Sequence, residues 1–383
     1  MNVSEKKSLR VCYFGTYRAN YERNRLMINR LLSGGIDVIP CHATLWQGFE
    51  DRQQAASGGW KKPAFWLRVL KAYIRLLNEY RKVGDYDVML LGYPGQADVL
   101  LGRILSSLRG KPLVWDVLMS IYLIARERQL EQRSPFTIRL IHWLEKTAMH
   151  MPDLFIVDTP TYAAWYQQEY QIPGEKIRLL PLGADDRIFQ PLPDIQKTSS
   201  DFVCLYYGTY IPNHGVPIII EAAHRLADHP AIRFEMVGVG PERQKAEQMA
   251  KELGLQQVTF IDWLEKDALV KKIAESDVIL GTFGSTPQAL MTMQNKIHEG
   301  LAMAKPVING DSPAMQAILS HGEEIYLCER ENPDALMEAI LALYTQPELC
   351  QTLSQRGHQY YLKHLSFDHL SQTLCAIMYS LMS

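Results

Sequence analysis

The sequence lacks the long apolar runs that membrane-spanning helices need, because none of its 383 residues lies in a stretch of about 18 consecutive apolar side chains. Its first ten residues, MNVSEKKSLR, are not followed by the apolar segment of a secretory signal, so no leader is expected. The six cysteines are scattered without CxxC or Cys–His spacing, which favours free thiols in a reducing compartment. These absences predict a cytoplasmic protein.

The sequence also has no excess of charge of either sign, since its formal net charge is −2. A balance of this kind argues against nucleic acid as the main partner. We find no HExxH pattern, no Ser-His-Asp order in a nucleophile elbow and no cluster with metal-ligand spacing. A hydrophobic content of 47% and a charged content of 21% are those of a folded protein, and the length suffices for two domains.

Short apolar runs alternate with amphipathic runs along the chain, which predicts parallel α/β architecture. The most informative stretch, 275–308, reads as a buried strand, a loop with Gly284 and Ser285, a helix that begins at Asn295 and a second strand. A helix start behind a glycine-rich loop is a natural seat for an anion, typically a phosphate. Lys296 adds a positive charge, and Glu299 adds a carboxylate one turn later. The alternative is an ordinary strand–helix crossover with a solvated Lys and Glu.

Further glycine turns follow other predicted strands in the second half of the chain. One runs from Gly208 through Thr209 and His214 to Gly215, and another contains Gly238 and Gly240. Backbone N–H groups in such turns can bind phosphate, and two turns at matching sheet positions are moderate support for a ligand site. Trp263 follows a further strand, and a packed aromatic side chain is one interpretation of it.

The first half begins with a strand that opens into a glycine turn and a helix, which places a set of side chains at the carboxyl edge of a parallel sheet. Candidate site residues there are Gly15, Tyr17, Arg23, Asn24, Asp116 and Ser120. Asp116 could orient an acceptor hydroxyl or accept its proton. The alternatives are a solvated helix face for Arg23 and a helix N-cap for Asp116.

Two further features of the first half have competing interpretations. Residues 60–82 form a basic helix with Trp at its start and an apolar stripe that includes Trp66, Leu70 and Leu77. Such a helix can contact an anionic membrane surface, but packing of the stripe on the sheet is favoured. Asp85 and Asp87 match the DxD pattern of metal-binding transferases, and a helix-to-strand turn is the favoured interpretation.

The pattern FG…NK…E.LAM.KPVI within residues 283–308 resembles the nucleotide-sugar-binding segment of the retaining GT-B glycosyltransferases of family 4. Three further motifs are similar to motifs of the same family. They are FGTY…RN from residue 14, P.G.D…F.P from Pro181 and GxGPE from residue 238. This chain departs from the family at three positions. Met291 stands where a Glu usually contacts the sugar, and Thr209 and His214 stand where Arg and Lys usually grip the diphosphate.

The resemblance implies a GT-B fold of two doubly wound Rossmann-like domains facing across a cleft. An acceptor-binding domain is expected over 1–190, with a closing helix over 366–383, and a donor-binding domain over 200–365. The implied donor is a UDP- or GDP-sugar, and the implied acceptor is a glycan or a lipid-linked glycan. No cofactor or metal is expected. Peripheral contact with the inner face of an anionic membrane is expected through 60–82.

The resemblance also distributes roles over the candidate residues. His214, Lys296 and Asp116 are the expected catalytic groups, the first two on the departing diphosphate and the last at the acceptor. Glu299 is expected on the donor's ribose. Trp263 stands where the family places the nucleotide base and could stack on it, with a packed aromatic side chain as an equal alternative. The remaining donor-side residues are Gly208, Thr209, Gly215, Gly238, Gly240, Trp263, Gly284, Ser285 and Asn295. The alternatives are a catalytically weak or inactive nucleotide-sugar-binding partner in a biosynthetic complex and, third, a sugar epimerase on the same fold.

Overall fold

The computed structural model describes residues 8–45 and 63–382, apart from 194, 196 and 198. The described chain forms two compact units, each built on its own sheet. The first unit contains the described residues within 1–158, 163–181 and 370–383, and the second contains those within 159–162 and 182–369. Residues 159–162, 182–190 and 366–369 therefore belong to the second unit, whereas the sequence had placed them with the first domain.

The first unit contains a parallel sheet of six strands in the order β2-β1-β3-β4-β5-β6. The strands are β1 Arg10–Gly15, β2 Asp37–His42, β3 Val88–Leu91, β4 Leu113–Asp116, β5 Leu154–Val157 and β6 Ile177–Leu179. The helices are α1 Glu22–Ser33, α2 Pro63–Lys82, α3 Val99–Leu108, α4 Ile121–Glu127, α5 Leu130–Arg133, α6 Pro135–Met149 and α7 Pro160–Tyr170. The strands β3, β4 and β5 are buried along their whole length, as expected when helices cover both faces of a parallel sheet.

The two faces of this sheet are covered by different helices. Val11 and Tyr13 of β1 lie in one apolar cluster with Met27 and Leu31 of α1, and Leu374 of the last helix joins it. Phe14, the next residue of β1, points to the other face, where its ring meets the ring of Tyr80 of α2 at 6.0 Å. On that same face Gly102 of α3 packs so closely that an added Cβ would lie 2.9 Å from Leu91 Cδ2.

The second unit contains a parallel sheet of six strands in the order β12-β11-β10-β7-β8-β9. The strands are β7 Phe202–Tyr207, β8 Ile232–Val237, β9 Val258–Ile261, β10 Val278–Leu280, β11 Val307–Gly310 and β12 Tyr326–Cys328. The helices are α8 Val216–Arg225, α9 Arg243–Glu252, α10 Lys266–Glu275, α11 Pro287–Met291, α12 Asn295–Ala302, α13 Pro313–Gln316, α14 Pro333–Thr345 and α15 Pro347–His364. The closing helix, α16 Phe367–Tyr379, supplies Leu370, Leu374 and Met378 to the core of the first unit.

Parallel α/β architecture is therefore confirmed in both units, each of which is Rossmann-like. The short helix α11 interrupts the loop that the sequence had placed between β10 and α12. Asp85 and Asp87 lie between α2 and β3, so the predicted turn is confirmed, and Asp87 accepts a hydrogen bond from the Arg10 N–H at 2.8 Å. None of the described helices is long and apolar enough to span a bilayer.

Candidate functional site

Three glycine turns of the second unit pack against one another at the carboxyl edge of its sheet. The turn after β7 begins at Gly208, where φ is +144°, and the turn after β8 begins at Gly238, where φ is +124°. A Cβ on Gly238 would lie 2.0 Å from Gly208 O, and a Cβ on Gly215 would lie 2.5 Å from Gly284 N. A Cβ on Gly240 would likewise lie 2.5 Å from a backbone nitrogen of the first turn. Only glycine permits this approach, which brings three predicted donor segments together.

Lys296 lies beneath the first of these turns, in the first turn of α12. Its side chain is 4% exposed, and its Nζ donates to the Gly281 carbonyl at 3.3 Å and lies 4.0 Å from the centre of the Tyr206 ring. A Cβ on Gly208 would lie 3.5 Å from the same Nζ. Burial lowers the pKa of Lys296 to about 7, and the nearby Glu299 carboxylate opposes this shift. A buried ammonium with such a pKa is readily recharged when an anion binds beside it.

His214 faces the same place but is not a second cation there. Its Nδ1 is 2.7 Å from the hydroxyl of Tyr206, and a Cβ on Gly208 would lie 3.3 Å from its Cε1. Burial, and then the neighbouring Lys296 charge, lower the pKa of His214 well below its ordinary value. His214 is therefore neutral at neutral pH in the free protein, which disfavours the expected imidazolium clamp. Tyr206, which bridges His214 and Lys296, was not among the predicted site residues.

Glu299 follows Lys296 by less than one helical turn and lies beside the phenol of Tyr207. Burial raises the pKa of Tyr207 well above its ordinary value, and the charge and hydrogen bond of Glu299 raise it further. The Tyr207 hydroxyl also donates to the Lys296 carbonyl at 3.2 Å. Asn295 is exposed and is the first residue of α12, so the predicted helix start is confirmed.

Arg330 is a residue of this site that sequence reasoning missed. It follows β12 and donates to the backbone carbonyls of Asp311 at 2.6 Å and Gly284 at 2.5 Å. The next residue, Glu331, accepts a hydrogen bond from the hydroxyl of Ser285. This pair therefore fixes the loop that carries two predicted donor residues. The available signal was a run of three charged residues directly after an apolar strand.

Trp263 follows β9 and is 60% exposed, so the alternative of a packed aromatic side chain is wrong. Next to it, Asp262 lies 3.0 Å from the Arg243 guanidinium. Arg243 also donates to the carbonyls of Gly238 and Ile261, which ties the end of β9 to the turn after β8. Arg243 thus holds in place the segment that carries the exposed indole.

The predicted acceptor residues form a separate, buried set in the first unit. Arg23 and Asp116 are both 0% exposed and form a bidentate ion pair, with Nε–Oδ2 at 2.9 Å and Nη2–Oδ1 at 2.7 Å. Arg23 also donates to the Leu180 carbonyl at 3.1 Å. Neither alternative holds, because Arg23 is not solvated and the N-cap of α4 is Ser120. The structure gives the pair a structural role, and contact with an acceptor stays a prediction.

The other members of this set are also buried and hydrogen-bonded. Asn24 accepts from the Tyr13 hydroxyl at 2.9 Å and donates to the Tyr93 carbonyl at 2.9 Å. Ser120 donates to the buried carboxylate of Glu145 at 2.7 Å. Gly15 and Tyr17 are buried as well.

The turn at Gly15 packs on a buried carboxylate. An added Cβ on Gly15 would lie 2.7 Å from Asp98 Oδ2, and the Thr16 N–H donates to that oxygen at 2.8 Å. The hydroxyl of Tyr73 of α2 donates to Asp98 Oδ1 at 2.9 Å. The turn after β1 is therefore filled by a carboxylate of its own unit.

Comparison with known families assigns the second unit. Residues 201–346 match the family described as glycosyl transferases group 1, so this part of the chain is a group 1 glycosyltransferase domain. The matched range contains the three glycine turns, Lys296 and Glu299. It leaves the first unit outside the match.

Curated relatives and solved structures extend the likeness. The chain is 21% identical over 77% of its length, and 70% of the relative, to an MMP alpha-(1->4)-mannosyltransferase of Mycolicibacterium hassiacum. It is 26% identical over 43% of its length, and 46% of the relative, to a lipopolysaccharide core biosynthesis glycosyltransferase of Rhizobium meliloti. The matches span less than half of two of the curated relatives. The crystal structure of HepE from Anabaena, in complex with UDP-glucose, aligns over 97% of this chain and 99% of HepE, with 16% identity and a TM-score of 0.71. A likeness at this identity shows the fold alone, and it confirms the expected GT-B fold of two Rossmann-like units.

Proposed function

We propose that the chain carrying this group 1 domain is a retaining, metal-independent glycosyltransferase of family 4. It transfers a sugar, of hexosyl type, from a UDP- or GDP-sugar to a hydroxyl of a glycan or lipid-linked acceptor, in cell-surface polysaccharide or glycolipid synthesis. The observation that carries the proposal is the convergence of the three glycine turns on the buried ammonium of Lys296. The names of the relatives and the UDP-glucose held by HepE support the donor class.

The proposed reaction breaks the bond between the sugar C1 and the diphosphate and forms a bond from C1 to the acceptor oxygen, whose proton passes to the departing diphosphate. Negative charge accumulates on the departing diphosphate, so pre-organised positive groups there lower the barrier. Lys296 supplies the charge, and the turn N–H groups supply further donors. Glu299 accepts from the ribose hydroxyls, and the exposed Trp263 is available to stack on the base.

A donor panel scored by protection against thermal unfolding tests this assignment, because a ligand that binds only the folded state raises its stability. We expect protection by one class of nucleotide-sugar in the parent and about tenfold weaker donor binding in Glu299→Ala, since a pair of ribose hydrogen bonds is lost. Glu323→Ala, an exposed carboxylate elsewhere in the second unit, is the matched control and should bind like the parent. Equal donor binding by Glu299→Ala would show that the ribose site is wrongly assigned.

A catalytically weak or inactive nucleotide-sugar-binding partner is the second candidate. The specific observation in its favour is that Thr209 and a neutral His214 leave Lys296, whose own pKa is lowered to about 7, as the one cationic side chain among the predicted donor residues. Formation of a glycosylated product from any nucleotide-sugar and a glycan or lipid acceptor rejects this candidate. Sugar turnover without an acceptor would instead indicate an epimerase.

We place the enzyme in the cytoplasm, at the inner face of the membrane. Six described cysteines are free and five of them are buried, which fits a reducing compartment. The part of the proposed membrane contact at residues 60–62 lies outside the described residues. Within α2, Trp66, Leu70 and Leu77 of the predicted stripe are exposed, so the expectation that the stripe packs on the sheet is wrong for these three.

A further inference from the structure

Three helices of the first unit expose an unusual number of large apolar side chains. In α2 these are Trp66, Leu67, Leu70, Ile74 and Leu77; in α3 they are Leu100, Ile104 and Leu108; in α6 they are Phe136, Leu140, Trp143 and Leu144. We call these twelve residues the apolar face. Trp66, Trp143 and Phe136 are 58%, 60% and 77% exposed. Scattered single residues of this kind need no explanation, but twelve on three helices of one unit form a candidate binding surface.

The three helices belong to one layer on one side of the sheet. The Tyr80 ring of α2 and Gly102 of α3 contact the face of Phe14 and Leu91. The Tyr80 hydroxyl donates to the Leu105 carbonyl at 3.2 Å, so α2 and α3 are direct neighbours. The crossovers from β3 to β4 and from β4 to β5 run in the same direction, and right-handed crossovers place α6 on the same side as α3.

The apolar residues of each long helix occupy one arc of its surface, and cations border that arc. At 100° per residue the exposed apolar side chains of α2 cover an arc of about 100°, and Lys71, Arg75 and Lys82 lie along its edge. In α6 the arc from Phe136 to Leu144 is bordered by Arg139 and Lys146. The three helices together carry eight Lys and Arg and two acids, of which Glu145 is buried, in a chain of net charge −2.

We propose that the apolar face is a membrane-docking surface whose partner is an anionic lipid bilayer. Its Trp, Phe and Leu side chains enter the boundary between headgroups and acyl chains, and the bordering Lys and Arg bind lipid phosphates. This charge complementarity favours a bilayer over a protein partner, because protein interfaces are depleted of Lys. The surface extends the proposed contact of α2 to two further helices. This inference deepens the proposed function by placing a lipid-linked acceptor at the membrane, yet lipid binding is measured without any transfer reaction.

The test is flotation of the full chain with vesicles of phosphatidylcholine alone or mixed with an equal amount of phosphatidylglycerol, at low and high salt. We expect at least tenfold tighter binding to the anionic vesicles, because each bordering cation contributes about fivefold near such a surface. High salt should reduce the difference. The variant with Trp66→Ser, Leu70→Ser and Trp143→Ser should lose at least tenfold in binding, and the variant with Lys71→Gln, Arg75→Gln and Arg139→Gln should lose the preference for anionic vesicles.

The control variant combines Leu32→Ser and Leu362→Ser, which are 52% and 53% exposed but lie outside the apolar face. It should bind vesicles like the parent, and all variants should keep the parent's unfolding temperature and its protection by donor. Absence of vesicle binding, or equal binding to both vesicle types at every salt concentration, overturns the proposal. A parent dimer in light scattering that the Trp66, Leu70 and Trp143 variant converts to a monomer would instead assign the surface to a second copy of the chain. Loss of donor protection alone would contradict the proposed function and leave the docking result intact.

Discussion

The two units begin with the same local structure but place opposite charges behind it. In each unit the first strand along the chain leads into a glycine with positive φ, +135° at Gly15, the last residue of β1, and +144° at Gly208, directly after β7. Behind Gly15 lies the buried carboxylate of Asp98, and behind Gly208 lies the ammonium of Lys296. A strand–turn–helix start therefore does not by itself make a phosphate site. The side chain that fills the space behind the turn decides whether an anion is attracted or excluded.

The units also differ in what they leave exposed. Seventeen of the exposed large apolar side chains in the described residues belong to the first unit, and four belong to the second. In the second unit the side chains of Lys296 and His214 converge on the turn at Gly208. In the first unit the buried Arg23 and Asp116 are paired with each other, and the outer helices carry most of the exposed apolar surface. Under the two proposals above, the second unit would bind the small anionic ligand and the first unit would contact the large partner.

The largest effect is expected from breaking the buried ion pair of the first unit. Asp116→Ala leaves the Arg23 guanidinium buried without its bidentate partner, which should cost about 3–5 kcal/mol of unfolding free energy. Urea denaturation measures this cost. Glu323→Ala, which breaks the exposed pair with Arg356, is the control and should cost about 0–1 kcal/mol.

The double variant Arg23→Met with Asp116→Leu tests whether the cost of Asp116→Ala comes from the guanidinium that is left buried without its partner. Replacing both charges by apolar groups should restore part of the stability, because the bidentate pair is then removed as a whole, but the buried Asp158, whose Oδ1 lies 3.7 Å from Arg23 Nη1, also loses that cation. If Asp116→Ala instead keeps the parent's stability and loses only sugar transfer, Asp116 acts at the acceptor and its structural role is wrong.

Lys296→Met should produce the largest loss of activity. Removal of one charge from the departing diphosphate should lower kcat/KM by about 10²–10³, measured in steady-state transfer assays. Lys305→Met is a matched control, because Lys305 is a second partly buried lysine of this unit that binds the carbonyls of Ala274 and Ser276. It should retain full activity, and a similar loss in both variants would contradict a specific role for Lys296.

The same Lys296→Met substitution should stabilise the free protein at neutral pH. The pKa of Lys296 is about 7 in the folded chain against 10.5 for an ordinary lysine, so only the unfolded chain binds the proton between these values. Folded stability should therefore rise with pH over that window by about 1.4 kcal/mol per unit, and the penalty is complete below about pH 7. Calorimetry of parent and variant should show the largest difference at pH 7 and convergence near pH 10.5. A lower stability of the variant at pH 7 would show that Lys296 is not disfavoured by burial.

The sequence predicted those parts of the fold that depend on local pattern. Apolar runs and glycine turns gave both sheets, and the helix start at Asn295 was correct because the strand, loop and helix signals are adjacent. It could not show which side of α2 is covered, because Trp66 and Tyr80 have the same helical spacing and only Tyr80 meets the sheet. Nor could it pair Arg23 with Asp116, since 93 residues separate them.

For the candidate site too, the sequence predicted local motifs and missed contacts between residues that are far apart in the chain. The glycine turns and Lys296 were found because each lies in a recognisable motif. Arg330 was missed, since its role is to bind the carbonyl of Gly284, which is 46 residues away. The low pKa of His214 depends on burial and on Lys296, and neither is visible in the sequence.

Replacing Gly15 or Gly208 by alanine tests whether the two turns differ in function. Both positions have a positive φ that strains any other residue, which should cost about 1–3 kcal/mol of stability in each variant. Gly15→Ala should cost more, because its Cβ would lie 2.7 Å from Asp98 Oδ2, whereas the contacts at Gly208 start at 3.3 Å. Gly208→Ala should weaken donor binding, and Gly15→Ala should not, when each variant's rise in unfolding temperature on adding donor is compared with that of the parent. Equal effects on donor binding would remove the functional distinction between the two turns.

The smallest expected effect is that of His214→Gln on the pH dependence of donor binding. The His214 imidazole is neutral at neutral pH, because burial and Lys296 lower its pKa, whereas the pKa of Lys296 is about 7. Donor affinity should therefore be constant below pH 7 and fall as the pH rises above it, when binding must first recharge the lysine. His214→Gln should keep this fall, and Lys296→Met should abolish it, in titrations from pH 6 to pH 9 followed by calorimetry. A fall that disappears in His214→Gln but persists in Lys296→Met would reverse the assignment and make the imidazole the titrating group. That outcome would also restore a paired clamp on the diphosphate, and the contrast between one cation behind Gly208 and one carboxylate behind Gly15 would no longer describe the site.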